Sequence, residues 1–300
     1  MRKIWLLAAL FTMLVLAACQ GAGDTTGAAM ECTLASTFPD PRDPTDVGIA
    51  ELSAADRARG GSNPVITLLE YSDFQCPYCS LAGRSLQEFE AAHPDEVQVI
   101  FRHFPLPMHD KANLAAQAAE AAGAQGKFWE MHDLLFAEGT WDTWIAMTPE
   151  AFETWLIEQA GSVGLDADQF GKDLNAEATV SYVEQAYGDA IQANLNSTPS
   201  LFIFINGELV LVPEDQIPYD AETLELVLAL AKQEANHYKT CPPMTVQKNK
   251  TYSAEFKTSK GDFTIELYAD KAPLAVNNFV FLAKQGYYDG VPFHRVLEGY

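Results

Sequence analysis

Residues 65–71, VITLLEY, are β-branched and apolar nearly throughout, the composition of a strand covered on both faces. The run leads straight into Cys76-Pro77-Tyr78-Cys79. Residues 80–92 then suit a helix, with Leu81, Leu86 and Phe89 available to a buried face and His93-Pro94 as its stop. Val97, Val99 and Phe101 alternate with Gln98, Ile100 and Arg102 in a second strand. A strand, a helix and a strand in so short a span make a right-handed βαβ unit the default, with both cysteines at its first strand-to-helix junction.

Residues 111–196 keep a helical pattern. NLAAQAAEAAGAQ is alanine-rich, GKFWEMHDLLF carries an aromatic-aliphatic face, and TPEAFETWLIEQAG begins with a cap followed by proline. Trp129, Met131, Trp144 and Trp155 in this stretch read as core. The strand pattern resumes at 201–205, turns at Asn206-Gly207 and returns through 208–212. A last helix fits 220–236. The order βαβ, helical insertion, ββα predicts an α/β chain with a thioredoxin fold at 63–236 and an inserted helical subdomain at about 108–196.

With 48% apolar residues, 300 residues can bury one large core or two ordinary ones. The formal charge of -22, spread along the chain, repels phosphate backbones and argues against nucleic acid as a partner. At the start, Arg2 and Lys3 precede an apolar run at 4–16 and small residues before Cys19. This is an export signal at 1–19, shorter than the roughly 20 residues of a spanning helix. Leu16-Ala17-Ala18-Cys19 resembles the lipobox of bacterial lipoproteins, which implies cleavage before Cys19 and a lipid anchor on it. The expected location is extracytoplasmic, on a bacterial membrane. Residues 20–62, rich in small residues and then in Pro and Asp, read as a tether. Disulfides persist outside the cytosol, and a structural bridge between Cys32 and Cys241 would tie this tether to the end of the folded domain.

Cys76 and Cys79 allow three readings. Structural zinc takes four ligands, but no second CxxC accompanies this one, and His103, His109 and His132 stand in no finger-like array. A permanent bridge between cysteines three apart closes a very small loop and constrains little of the unfolded chain. Redox chemistry uses the placement best, because free N–H groups and the helix dipole favour a thiolate on the first cysteine. Cys76 is then the exposed nucleophile and Cys79 the resolving thiol, with Pro77 in an early helical position that loses no needed N–H. Thr198-Pro199 stands where thioredoxin-like folds place a cis-proline facing the cysteines. Glu70 lies inside an apolar strand, where a carboxylate is costly unless used or paired, and it could move protons to or from Cys79. No metal or cofactor is expected.

EYSDFQCPYC, followed by FRHFPLPMHDKANLAAQAAEAAGAQGKFWEMHDLLF and STPSLFIFING, resembles the DsbA-like disulfide oxidoreductases of bacterial cell envelopes. The resemblance implies thiol-disulfide exchange with exported polypeptides through a mixed disulfide, and a membrane redox partner that recycles the pair. It makes Cys76 the attacking thiol, Cys79 the resolving thiol, Pro199 the cis-proline beside Thr198, and Glu70 the buried acid. Tyr78 stands where the best-known members carry His, and with Pro77 it helps to set how oxidising the pair is. His103 reads as a hydrogen-bonded structural histidine.

Residues 237–251 read as a linker. Beyond it, Phe256, Phe263, Ile265 and Leu267 alternate around Lys260-Gly261, and APLAVNNFVFLAKQG suits a short amphipathic helix. The stretch 252–300 resembles the opening of a cyclophilin-type peptidyl-prolyl isomerase, and Arg295, in Phe293-His294-Arg295, takes the place of that family's catalytic arginine. A strand-rich piece of this size cannot close a barrel, so either a truncated domain or an inactive arm is expected, with truncation the favoured reading. The chain is thus expected to be an extracytoplasmic thiol-disulfide oxidoreductase, with oxidation of its clients as the working direction. The alternatives are a prolyl isomerase with an accessory thioredoxin-like part and a non-catalytic chaperone-like module.

Overall fold

A computed structural model describes residues 38–212, 219–235, 241–291 and 293. The chain divides into two compact units, one covering 38–228 and the other taking in 229–300.

The first unit is built on a five-stranded sheet of β1 (Arg57–Gly60), β2 (Ile66–Ser72), β3 (Val97–His103), β4 (Ser200–Ile205) and β5 (Glu208–Leu211), in the order β1-β3-β2-β4-β5. β2 and β3 are parallel, joined through helix α1 (Pro77–Ala92), and the other pairs are antiparallel. β2 is central and buried at every residue, which explains its unbroken apolar run. Asn206 and Gly207 adopt φ of 51° and 85°, the left-handed pair that a two-residue hairpin turn requires.

Six helices lie between β3 and β4: α2 (Ala112–Ala124), α3 (Phe128–Phe136), α4 (Thr140–Ile145), α5 (Pro149–Gln159), α6 (Ala167–Leu174) and α7 (Glu177–Gln192). α8 (Ala221–Ala235) follows β5. Thr148 Oγ1 accepts from the Ala151 N–H at the start of α5, and Asp166 caps α6 through the Gln169 N–H; each satisfies a donor that the helix start leaves free. The alanines of α2 pack with Phe74, Phe101, Phe128, Met131, Trp144 and Phe152 in one core. Trp129 and Trp155 border this core and the others fill it. A second core joins Leu69 and Tyr71 to Phe202, Phe204 and the α7 residue Ala190. Gly83 of α1 faces Phe136 so closely that a Cβ would lie 2.8 Å from its ring.

Two features of this unit differ from the sequence reading. Arg57–Gly60, inside the stretch read as tether, is the edge strand of the sheet. Its arginines are held by ion pairs to Glu120, Glu90 and Asp133, and Arg59 also lies over the Trp129 ring. Leu81, assigned to the buried face of α1, is 59% exposed, while Leu86 and Phe89 are buried.

In the second unit, β6 (Tyr252–Phe256) and β7 (Phe263–Leu267) form an antiparallel hairpin with Phe256 and Phe263 stacked at 4.7 Å. α9 (Pro273–Lys284) carries the buried Asn277, whose Oδ1 accepts the N–H groups of Thr245 and Val246. The end of the stretch read as linker is therefore packed into this unit.

Candidate active site

β2 ends at Ser72, and the four residues 73–76 carry the chain to α1, whose N-cap is Cys76 and whose first residue is Pro77. The N-cap side chain makes no capping hydrogen bond, so the N–H groups of the first turn remain available to the sulfur. Cys79, one turn in, is fully buried. Both cysteines are free thiols.

The cysteines differ sharply in their acidity. Cys76 is drawn down to about 6, first by the hydrogen bond that the Cys79 thiol gives it. Burial opposes the shift, and the Cys79 N–H, the Thr198 hydroxyl and the Tyr78 N–H add to it. Cys79 is pushed well above the ordinary thiol range by burial, by its hydrogen bond to Cys76, and by the charges of Glu70 and Cys76. A nucleophilic thiolate beside a reluctant thiol is the arrangement in which a mixed disulfide forms at one sulfur and is resolved by the other.

The Thr198–Pro199 peptide bond is cis, and the Cys76 thiol donates to the Thr198 carbonyl at 3.6 Å. The two segments singled out in the sequence thus meet across 122 residues. This contact also corrects the expectation of an exposed nucleophile. Cys76 is only 5% exposed, whereas its neighbour Tyr78 is 71% exposed. The Thr198 carbonyl lies against the sulfur, and the exposed side chains of α1 beside it are Tyr78 and Leu81.

Glu70 is buried, and burial raises its carboxyl to about 7; the Ser72 hydroxyl works against that rise and the Cys76 charge adds to it. Glu70 Oε1 has no hydrogen-bond partner.

Several residues around the pair escaped the sequence reading. Asp73 is fully buried at its carboxylate, which accepts from the Gln75 N–H (2.7 Å), the Leu106 N–H (2.8 Å) and His109 Nδ1 (2.7 Å). Its own N–H donates to Cys79 Sγ at 3.4 Å. Gln75 adds a second latch, accepting from the Lys111 N–H and donating to Asp110. These bonds fasten the loop bearing the exposed Met108 to the segment that leads into Cys76. Tyr219 is also near: burial and then the charges of Glu70, Cys79 and Cys76 raise its phenol above the usual range. A turn aspartate and a tyrosine beyond the hairpin carry no sequence signal that ties them to the cysteines.

His103 does not join the pair. Its Nε2 bonds Glu120 Oε1 at 2.9 Å, and Glu120 also binds Arg57. Cys241 is disulfide-bonded; Cys19, Cys32 and Arg295 lie outside the described residues.

The thioredoxin family model matches residues 53–228, more than half of the chain. This chain belongs to the thioredoxin family. The model of the cyclophilin type peptidyl-prolyl cis-trans isomerases matches residues 253–300, behind the thioredoxin domain. The chain is 35% identical over 172 residues to the Na(+)/H(+) antiporter NhaA 1 of Mycolicibacterium gilvum, covering 56% of this chain and 25% of the antiporter. It is 32% identical over 179 residues to the antiporter NhaA of Herminiimonas arsenicoxydans, covering 59% and 26%. It therefore spans about a quarter of the length of these relatives. The crystal structure of α-DsbA1 from Wolbachia pipientis matches at a TM-score of 0.53 and 20% identity, over 62% of this chain and 95% of that one. The thioredoxin domain thus has the fold of a DsbA-like protein, helical insertion included.

Proposed function

We propose that the thioredoxin domain is a thiol-disulfide oxidoreductase of the cell envelope that oxidises exported polypeptides through Cys76 and Cys79. The observation that carries this reading is the opposed acidity of the two thiols at the α1 N-terminus, with the nucleophile against the Thr198-Pro199 segment. In the oxidising direction a client thiolate attacks Cys76 Sγ of the Cys76–Cys79 disulfide, and Cys79 leaves as a thiolate. A second client thiolate then attacks the client sulfur of the mixed disulfide, forming the client's disulfide and releasing Cys76 as the thiolate. The released anion is stabilised by the hydrogen bonds that lower its pKa to about 6, which favours this direction. Two electrons have entered the pair, and a membrane redox partner removes them.

The export signal supports an extracytoplasmic site of action, with the lipid on Cys19 as anchor and a Cys32–Cys241 disulfide tying the tether to the domain. Oxidation of a reduced two-cysteine peptide should proceed with the native chain and be abolished in Cys76→Ser; equal rates would overturn the proposal. A reduction potential nearer about -120 mV than about -270 mV would support the oxidising direction.

The match at residues 253–300 favours a second activity, prolyl isomerisation, with Arg295 bonding the twisting amide. Prolyl-peptide isomerisation that is equal in Arg295→Ala and the native chain would remove that reading. The transport activity in the names of the antiporter relatives belongs to proteins of which this chain covers about a quarter, and it forms no part of the proposal.

A further inference from the structure

Cys79 is fully buried, yet its sulfur must change protonation each time the pair turns over. The residue is 0% exposed, so a protein group beside its sulfur is a ready carrier for that proton. Ser72 is placed to carry it. As the last residue of β2 it lies two positions beyond Glu70, on the same face of the central strand. Both residues are 1% exposed. The N–H of the next residue, Asp73, reaches Cys79 Sγ at 3.4 Å, which seats the sulfur at the end of β2 beside Ser72. Glu70 Oε1 and Ser72 Oγ are each buried without a hydrogen-bond partner. Buried polar groups are nearly always paired, and these two orphans share one strand face at the end where Cys79 Sγ is seated. The Ser72 hydroxyl favours the charged forms of both Glu70 and Cys79. It thus lies within electrostatic reach of both groups, while its Oγ bonds neither of them in the resting structure. A small apolar side chain would fill the space without leaving an orphan hydroxyl.

We propose that Ser72 is the hydroxyl relay that passes the proton between Glu70 and Cys79. The inference rests on the redox reading of the pair. When Cys79 resolves a mixed disulfide, its S–H proton moves to Ser72 Oγ as the Ser72 O–H proton moves to the Glu70 carboxylate. Glu70 becomes the acid, Ser72 is unchanged, and Cys79 becomes the thiolate. That thiolate attacks Cys76 Sγ; the Cys76–Cys79 bond forms, the bond to the client sulfur breaks, and its electron pair leaves on the client thiolate. Cys79 is oxidised to the disulfide level, the client sulfur is reduced, and Cys76 stays at the disulfide level throughout. In the opposite direction, Cys79 leaves the disulfide as a thiolate, takes the Ser72 proton, and Glu70 refills Ser72. The other titratable groups near this path are Cys76 on α1, Tyr219 ahead of α8, and Asp73, which is hydrogen-bonded to His109 Nδ1.

The test follows the decay of a mixed disulfide between Cys76 and a single-cysteine peptide, across pH, in the full chain and its variants. Ser72→Ala should slow the decay about a hundredfold, with the thermal midpoint and the Cys76 titration unmoved. Ser72→Thr, which keeps the hydroxyl, should restore the rate. Glu70→Gln should be slow as well, and adding Ser72→Ala to it should slow the decay no further, because both lie on one path. Native rates for Ser72→Ala at every pH would overturn the relay. Equal slowing in Ser72→Ala and Ser72→Thr, with a lowered thermal midpoint, would also overturn it in favour of a packing role. If instead Cys76→Ser still exchanges disulfides, the redox reading itself fails.

Discussion

Glu70 and Glu120 are both buried in the unit covering 38–228, and their environments drive them in opposite directions. Glu70 faces the cysteine pair without a partner for Oε1, and burial lifts it to about 7. For Glu120 burial is likewise the largest single influence and pushes upward, but the bonds and charges of His103 and Arg57 together outweigh it and hold the acid at about 2. The first is a proton exchanger poised near neutral pH. The second is a fixed charge that fastens α2 to β3 and to the edge strand. Partnership rather than burial separates a chemical carboxylate from a structural one.

Breaking the structural site should have the largest effect on stability. Glu120→Ala leaves His103 and the Arg57 guanidinium without their acceptor, and should cost about 4 kcal/mol, a fall of roughly 12 °C in thermal midpoint. Folded protein at lower temperature should keep its native Cys76 titration. A loss under about 1 kcal/mol would show that the pair is no more than a surface ion pair.

The chemical site should respond with the opposite sign. Glu70 titrates higher in the folded chain, about 7, than its ordinary 4.5. Between those values the folded state holds a proton that the unfolded state has lost, so stability falls as pH rises, by up to about 1.4 kcal/mol per pH unit. Glu120 titrates lower in the folded chain, about 2 against 4.5, and its contribution is lost as pH falls through that window. Glu70→Gln should therefore be more stable than the native chain by about 3 kcal/mol above pH 7, with the gain vanishing below about pH 4.5. Denaturant midpoints across pH measure this; a gain independent of pH would contradict it.

Two smaller effects bound the comparison. Gly83→Ala would push a Cβ to 2.8 Å from the Phe136 ring, and should cost about 1 kcal/mol without altering either acid. Tyr78→Ala, at an exposed position, should change stability by less than about 0.5 kcal/mol; a larger loss in a denaturant melt would mean that this exposed ring supports the fold.

The parts legible in the sequence are those whose signal is local. An acid within VITLLEY, a cysteine pair at the end of that run and an Asn-Gly turn each carry their physics in adjacent residues. β1 was hidden because RARG has the charge of a solvated loop, and it becomes a strand only through β3 and the acids that take up its arginines. Asp73 and Tyr219 were hidden for the same reason, since what ties them to the cysteines is tertiary. Leu81 was misplaced because helical periodicity identifies a face without showing where that face meets solvent.

The claim on which the rest depends is that the fold sets the two thiols apart. Titration of the reduced chain, followed by thiolate absorbance with Cys79→Ala and Cys76→Ser to assign the steps, tests it directly. Cys76 should ionise near 6 and Cys79 well above the ordinary thiol range. Two thiols that both titrate near the unperturbed value of about 8.5 would contradict the account.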